Sequence, residues 1–419
     1  MPVLPRPRIY PRHQVHLPAS ALAALARTLG SGEIVRGPSL ERLEAAFAAR
    51  HGVAGALGLA SGRTGLLLAL DALGLKEGDE VLIPDFTLAA MPGLLLARGL
   101  VPVFVDVDPR TWHLDPSRLE AAIGPRARAV VATHLFGLAS DMPAILDIAR
   151  ARGLFVIEDC AQSCGTRLEG GPVGAFGDLA LFSFNTGKNM AAFGGGMLLA
   201  REPALWERIR GRADALVDPD PSALLRQVLR VLAVHGVTSR TLFPATLYAA
   251  LRLADLMGSR ALDQAMFEPT ALPTLPSRHA RLSELQARVA LTQLDALDAV
   301  NARTRVHAEI LAGALAEVEG IDFPRPIPGS TPCWSWFKIE VDDRDALRAW
   351  LLPRGVDTNE DDMSACSTLD TFRSVARDCP VSARIHRRSM EIPNGYRMSA
   401  GDARFVAGRV REGVEALRR

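Results

Sequence analysis

The run Ile157-Glu158-Asp159-Cys160-Ala161-Gln162, followed by Leu181-Phe182-Ser183-Phe184-Asn185-Thr186-Gly187-Lys188, decides the reading of this chain. Each block starts as a short apolar strand and ends in a polar group. Asp159 closes the first strand, and Lys188 lies just past the second. Alone, an aspartate at a strand end is an ordinary helix cap or salt-bridge partner. A surface lysine after a strand means nothing by itself. Their surroundings decide.

Those surroundings repeat one rhythm. From Val53 to Ala200 the runs Gly55–Leu59, Glu80–Ile83, Val101–Asp106, Ala129–Thr133, Leu154–Glu158, Leu179–Phe184 and Gly196–Ala200 read as strands. Between several of them the pattern predicts helices at Thr64–Leu73, Leu88–Arg98, Pro116–Ala122 and Met142–Arg152. Asp115 before Pro116 suits an N-cap with proline at the first helical position. Near-continuous apolar strands separated by helices predict an α/β fold with a mostly parallel sheet covered on both faces. Ligands of such sheets bind beyond the carboxyl ends of the strands. Asp159, Ser183 and the Ser61-Gly62 turn all fall at such ends.

Size and composition set the limits. A chain of 419 residues with 48% hydrophobic content exceeds one core, since single cores stop growing near about 250–300 residues. The reading divides it into an N-terminal arm (1–20), a large α/β domain (21–280) and a small C-terminal α+β domain (281–419). A net charge of +1 gives no electrostatic case for nucleic acid. Of five cysteines, Cys160 and Cys164 are four apart with no matching pair to complete a zinc site, so no metal is expected. They read as buried or free thiols of a reducing compartment. Met1 to Pro18 is rich in Pro and Arg and lacks the apolar core of a signal peptide. No stretch reaches about 18 uncharged apolar residues. The expected location is cytoplasmic.

Residues 213–276 break the rhythm. Leu224, Leu225, Val228, Leu229 and Leu232 recur at helical spacing, with Arg226 and Arg230 on the other face. Leu247, Leu251, Ala254 and Met257 repeat the pattern around Arg252. Two readings stand: a helical lid or dimer-contact arm, and a basic amphipathic segment resting on a membrane surface. From Arg281 onward the pattern predicts a long helix (Ser283 to Leu315), a strand at Trp334–Val341, a helix at Arg344–Leu352 and a last helix from Asp402.

An acid at one strand end and a lysine past the next are the two groups that pyridoxal 5'-phosphate (PLP) chemistry requires. A lysine amine forms a Schiff base with the cofactor aldehyde, and a carboxylate keeps the pyridine nitrogen protonated. The Ser61-Gly62-Arg63-Thr64 turn opens a helix, whose N-terminal N–H groups form an anion site. Ser183 is a phosphate donor or a plain strand residue. Asn185 shares its face by strand alternation and is a candidate for orienting cofactor or substrate. Gln162 either meets the cofactor's phenolic oxygen or caps a helix. His134 reads as structural. Asn189 after the lysine rules out a G-x-x-x-x-G-K-[ST] loop.

With these residues in view, the chain resembles the DegT/StrS-type (DnrJ-like) sugar aminotransferases, PLP enzymes of fold type I. The match includes Gly37, the Glu41–Phe47 helix, Ser61-Gly62, Gly78-Asp79-Glu80-Val81 and Pro84-Asp85-Phe86-Thr87. It continues through Pro102-Val103-Phe104-Val105-Asp106, His134-Leu135-Phe136-Gly137, Glu158-Asp159-Cys160-Ala161-Gln162, Phe182-Ser183-Phe184, Lys188 and Ser283-Glu284-Leu285-Gln286-Ala287. The resemblance implies a seven-stranded large-domain sheet and a homodimer with the site at the subunit interface. It makes Lys188 the Schiff-base lysine, Asp159 the pyridine partner and Gln162 a contact to the ring oxygen. Ser183 and the backbone at Gly62 and Arg63 would hold the phosphate. The implied reaction passes nitrogen from L-glutamate to a keto-sugar on a nucleotide.

Departures bear on the substrate. Leu88 stands where the family usually stacks an aromatic ring on the cofactor. Arg63 replaces the usual Thr, and Gly194 a frequent Glu. His279-Ala280-Arg281 stands where Asn-Tyr-Arg is common. The 213–276 insertion is longer than usual. Two rivals follow: a PLP aminotransferase for a lipid-linked or otherwise hydrophobic ketone, and a non-catalytic sensor or scaffold. In a related dehydratase branch a histidine takes the place of Lys188.

Overall fold

The computed structural model describes residues 9–259, 279–360 and 363–418. Seven strands form one sheet: β1 (Gly55–Leu59), β2 (Glu80–Pro84), β3 (Val101–Val105), β4 (Ala127–Thr133), β5 (Phe155–Asp159), β6 (Leu179–Ser183) and β7 (Gly196–Ala200). Their order is β1-β7-β6-β5-β4-β2-β3. Every neighbouring pair is parallel except the two made by β7. The carboxyl ends of β1, β4, β5 and β6 therefore share one edge.

Alternation along the pleat splits the core in two. Ala56, Leu82, Val130, Ala132, Ala180 and Phe182 face one side, where they join Phe47, Ile145 and Leu285. Leu57, Val81, Ile83, Ala129, Val131, Leu179 and Leu181 face the other, against Leu66, Leu70 and Ile209. Both faces are dry, which is why the strands read as unbroken apolar runs.

A second, antiparallel sheet joins Ile321–Asp322, Phe337–Val341, Ser389–Ile392 and Asn359–Glu360. It packs Phe337 and Ile339 against Leu311, Leu315, Val406 and Val410 of the helices Leu297–Leu315 and Ala400–Leu417. The chain before it corrects one expectation. The long helix from Ser283 is two helices, Glu284–Leu294 and Leu297–Leu315, broken at Asp295-Ala296. No Gly or Pro marks that break, and Leu294 and Leu297 are buried on either side of it. The predicted strand at Trp334 also begins later, at Phe337; Trp334 has φ +49°, outside the extended region.

The N-terminal arm lies on this second sheet. Tyr10 bridges Val356 and donates its hydroxyl to Asp402 at 2.6 Å. Arg12 forks onto the buried Asp357 at 2.7 and 3.0 Å.

Of the 213–276 segment, residues beyond Ser259 lie outside the described set. Pro221–Val237 and Leu247–Leu256 are helices. The buried stripe of the first is Leu224, Val228 and Val231, while Leu229 is 66% exposed. The expected stripe drifted because a helix face follows 3.6 residues, and Val231 rather than Leu229 meets the core. In the second helix only Leu251 is buried. Among the described residues no helix is long and apolar enough to cross a membrane.

Candidate active site

Asp159 ends β5 opposite Thr133 of β4 and Leu181 of β6. Its Oδ1 accepts from the Ala161 N–H at 3.0 Å. Burial pushes its carboxyl above the usual range, while Lys188 pulls the other way. Lys188 sits in the loop after β6, turned back by its N–H to the Asn185 carbonyl. Its ammonium lies 4.9 Å from the centre of the Trp336 ring. A cavity of about 1080 Å³ runs between these groups and is lined by both.

The helix Gly62–Leu73 points its N-terminus at this cavity. Ser61 caps it, accepting from the Thr64 N–H at 3.2 Å. A side chain at Gly196 would run into the Phe182 carbonyl and come within 2.7 Å of the Gly62 nitrogen. Small residues here let the helix start lie directly on the strand ends. Arg63 opens the first helical turn, exposed and without an ion pair among the described residues.

The remaining expected residues all line the same cavity, with different engagements. Leu88 is 38% exposed there. Gln162 is buried; its Oε1 accepts from the Phe136 N–H at 2.8 Å, leaving the amide nitrogen 3.6 Å from Met363 Sδ. The carbonyl thus anchors the strained turn at Phe136 (φ +60°) and not a helix start. Ser183 is half-buried, its hydroxyl accepting from the Asn185 N–H at 3.4 Å. Asn185 is exposed, and its carbonyl oxygen turns back onto the Thr186 N–H at 2.8 Å.

His134 is structural. Its Nδ1 accepts from the Ser140 N–H at 3.0 Å, so Nε2 carries the proton and donates to Glu158 at 3.0 Å. Glu158 also accepts from Gly174, Phe176 and Gly177. With Cys160 this pair is the trio that brings metal-type ligand atoms within 4.8 Å among the described residues, but its ring nitrogens and carboxylate are already spent on these bonds. All five cysteines are buried thiols.

Several lining residues were not read as part of the site from the sequence, Arg226 and Arg230 among them, which were read only as a helix face. His13 comes from the N-terminal arm, its ring 6.2 Å from Trp336 and edge-on to it. Burial, then the charges of Lys188 and Lys338, lower its pKa to about 4. Thr87 and Thr133 present buried hydroxyls without partners among the described residues. Arg226, Gln227, Arg230, Val231 and Val234 reach in from the Pro221–Val237 helix. Gln227 lies where a side chain at Gly194 (φ +98°) would stand, which explains glycine at that position.

These residues fit PLP. A helix N-terminus backed by Gly62 and Gly196 suits its phosphate; unpartnered hydroxyls and a carboxylate face the cavity; an amine stands across from them.

The family model for the DegT/DnrJ/EryC1/StrS aminotransferases matches residues 17–411. The dTDP-3-amino-3,4,6-trideoxy-alpha-D-glucose transaminase of Streptomyces venezuelae is 36% identical over 82% of this chain and 77% of its own. The UDP-N-acetyl-3-dehydro-alpha-D-glucosamine 3-aminotransferase of Acidithiobacillus ferrooxidans is 42% identical over 48% of this chain and 54% of its own. The crystal structure of S. venezuelae DesV in complex with a ketimine intermediate superposes with a TM-score of 0.75 at 31% identity, over 95% of each chain. The chain therefore belongs to the DegT/DnrJ/EryC1/StrS family and is a PLP-dependent aminotransferase.

Proposed function

We propose that this enzyme moves an amino group from L-glutamate to a keto-sugar carried on a nucleotide, with Lys188 as the lysine that bonds the cofactor. The observation that carries the reading is Asp159 and Lys188 lining one cavity at the strand ends. When bound, PLP supplies an aldehyde that exchanges amines and a ring that draws electrons from the reacting carbon. Asp159 holds a proton on the ring nitrogen through a charge-assisted hydrogen bond. The N–H groups of Gly62 and Arg63 and the Ser183 hydroxyl bind the phosphate. Gln162, whose carbonyl is taken by the Phe136 N–H, would offer its amide N–H to the ring oxygen, and Leu88 would cover the ring face. Asn185 orients substrate from the rim. Lys188 would be the base that moves the proton between the reacting carbon of donor or acceptor and the neighbouring cofactor atom.

The acceptor class is supported by two relatives whose names carry dTDP- and UDP-linked sugars. Arg226 and Arg230 at the cavity add positive charge suited to a diphosphate. A homodimer closing the site, as the family resemblance implies, is part of this proposal. Borohydride reduction of the PLP-loaded enzyme tests the lysine assignment. The cofactor should be found on the Lys188 peptide, and its attachment to another lysine would sink it.

A second reading keeps the chemistry and changes the acceptor to a lipid-linked or other hydrophobic ketone. Leu229, Leu242, Leu253, Leu256 and Met257, all in the inserted segment, are exposed by 49–74%. Val231, Val234, Phe243 and Leu247 of the same segment line the cavity. Flotation with anionic liposomes separates the two: co-flotation favours the hydrophobic acceptor, and its absence favours the nucleotide.

A further inference from the structure

The glycine run before β7 brings one side chain of the inserted segment close to the start of the Gly62–Leu73 helix. Gly194 and Gly195 have φ of +98° and +96°, where side chains are rarely tolerated, and both line the large cavity. A Cβ at Gly194 would come within 2.3 Å of Gln227 Nε2, so the amide nitrogen lies against the glycine backbone. The next two residues lead from there to the helix. Gly195 bridges Ser61, and a Cβ at Gly196 would lie 2.7 Å from the Gly62 nitrogen. Three glycines thus carry the cavity wall from the Gln227 amide to the first N–H groups of the helix.

That amide is uncommitted. Neither side-chain atom of Gln227 makes a hydrogen bond among the described residues, and the residue is exposed and lines the cavity. The other amide beside Gly194 is already spent: Gln286 Nε2 donates to the Phe193 carbonyl at 3.1 Å, and its Oε1 accepts from the Ser283 N–H at 3.2 Å. The backbone under Gln227 is held independently, because Leu224, Val228 and Val231 bury one side of the Pro221–Val237 helix. Gln227, Val231 and Val234, at i, i+4 and i+7, share one face and all line the cavity. A ligand can therefore take the amide without breaking any bond.

We propose that Gln227 is a ligand of the cofactor's phosphate. Its amide N–H adds a side-chain donor to those of Gly62, Arg63 and Ser183, and as a neutral group it donates at any pH. The inference rests on those three residues holding the phosphate. It gives the inserted helix a part in cofactor binding beside the acceptor role of Arg226 and Arg230. The reaction has a use for such a contact: Lys188 must let go of the cofactor during the exchange, and noncovalent contacts alone then retain it.

The test is calorimetric titration of the full-length, cofactor-free protein with pyridoxamine 5'-phosphate and with pyridoxamine. Neither ligand bonds to a lysine, so the result does not depend on the Lys188 assignment. Gln227→Ala should weaken pyridoxamine 5'-phosphate at least about tenfold, the order expected for one hydrogen bond to a charged group. Its affinity for pyridoxamine should match that of the parent. Gln227→Glu, which sets a carboxylate beside the phosphate, should weaken the phosphorylated ligand further. A parent that prefers the phosphorylated ligand, with Gln227→Ala unchanged or weakened equally for both ligands, overturns this inference alone. A parent that does not distinguish the two overturns it together with the phosphate assignment on which it rests. If Gln227→Ala does not fold, Gln227→Glu decides: weaker binding of the phosphorylated ligand alone supports the contact, and unchanged binding overturns it.

Discussion

The Lys188 ammonium lies 4.9 Å from the centre of the Trp336 ring, so the loop after β6 and the segment leading into the smaller sheet meet at the reactive amine. Trp336 is nearly buried and braced by the edge of His13. Removing the ring takes this contact away from the amine.

Trp336→Ala should therefore lower kcat while PLP still binds. A cation–π contact of about 0.5–2 kcal/mol corresponds to roughly 2- to 30-fold. Trp336→Phe should recover much of the loss. Steady-state kinetics beside a PLP titration checks both, and a loss confined to PLP affinity would refute the assignment.

Asp159→Asn should bind PLP and lose at least about a hundredfold in kcat, the scale of a missing acid–base partner. An amide cannot stabilise a proton on the ring nitrogen. Burial already holds the free carboxyl above its usual pKa, with the Ala161 N–H, Lys188 and His134 opposing. Single-turnover rates with L-glutamate read the effect.

Arg226→Ala and Arg230→Ala should raise KM for a nucleotide-linked acceptor about tenfold each with kcat little changed. That is the scale of one hydrogen bond to a charged group. Arg230 makes no ion pair or hydrogen bond among the described residues, and Arg226 leans on Ser222 at 3.2 Å and pairs loosely with Asp220 at 4.0 Å. KM for glutamate should stay put. A hydrophobic acceptor would leave its own KM untouched by either change.

Acid should destabilise the protein through its neutral histidines. His16 is buried and its pKa is lowered from 6.5 to about 4. Between those values the unfolded chain binds a proton that the folded one refuses, so stability falls as pH drops from 6.5 toward 4. His113, lowered to about 3 by burial first, acts in the same direction. Asp85, raised to about 6 by burial, opposes them, since its folded form keeps a proton there that the unfolded chain gives up. His16→Phe keeps a ring against Tyr396, which lies 4.0 Å away, and removes one titration. Its Tm should fall less than that of the parent between pH 6.5 and 4.5.

What was legible in the sequence was what is local. Each sheet strand is dry on both faces, so its apolar run and its terminal polar residue are visible together; Asp159 and Ser183 were read that way. The turn at Ser61-Gly62 was legible as the junction between an apolar strand and a helix. Residues brought in from far along the chain were invisible: His13 and Trp336 are 175 and 148 positions from Lys188 and share no pattern with it. Gln227 was hidden for the same reason, although Gly194 hinted that something bulky stands over it. The break at Asp295-Ala296 had no Gly or Pro to signal it. Leu229 misled because an apolar residue one step off the buried stripe looks the same in a list of spacings.

The most direct measurement is the visible absorbance of the PLP-loaded protein before and after L-glutamate, beside a Lys188→Ala variant. The account predicts a visible band that glutamate bleaches, with 2-oxoglutarate formed in equal amount, and a variant that shows neither the same band nor turnover. A band that ignores glutamate, or a variant that bleaches as the parent does, would contradict it.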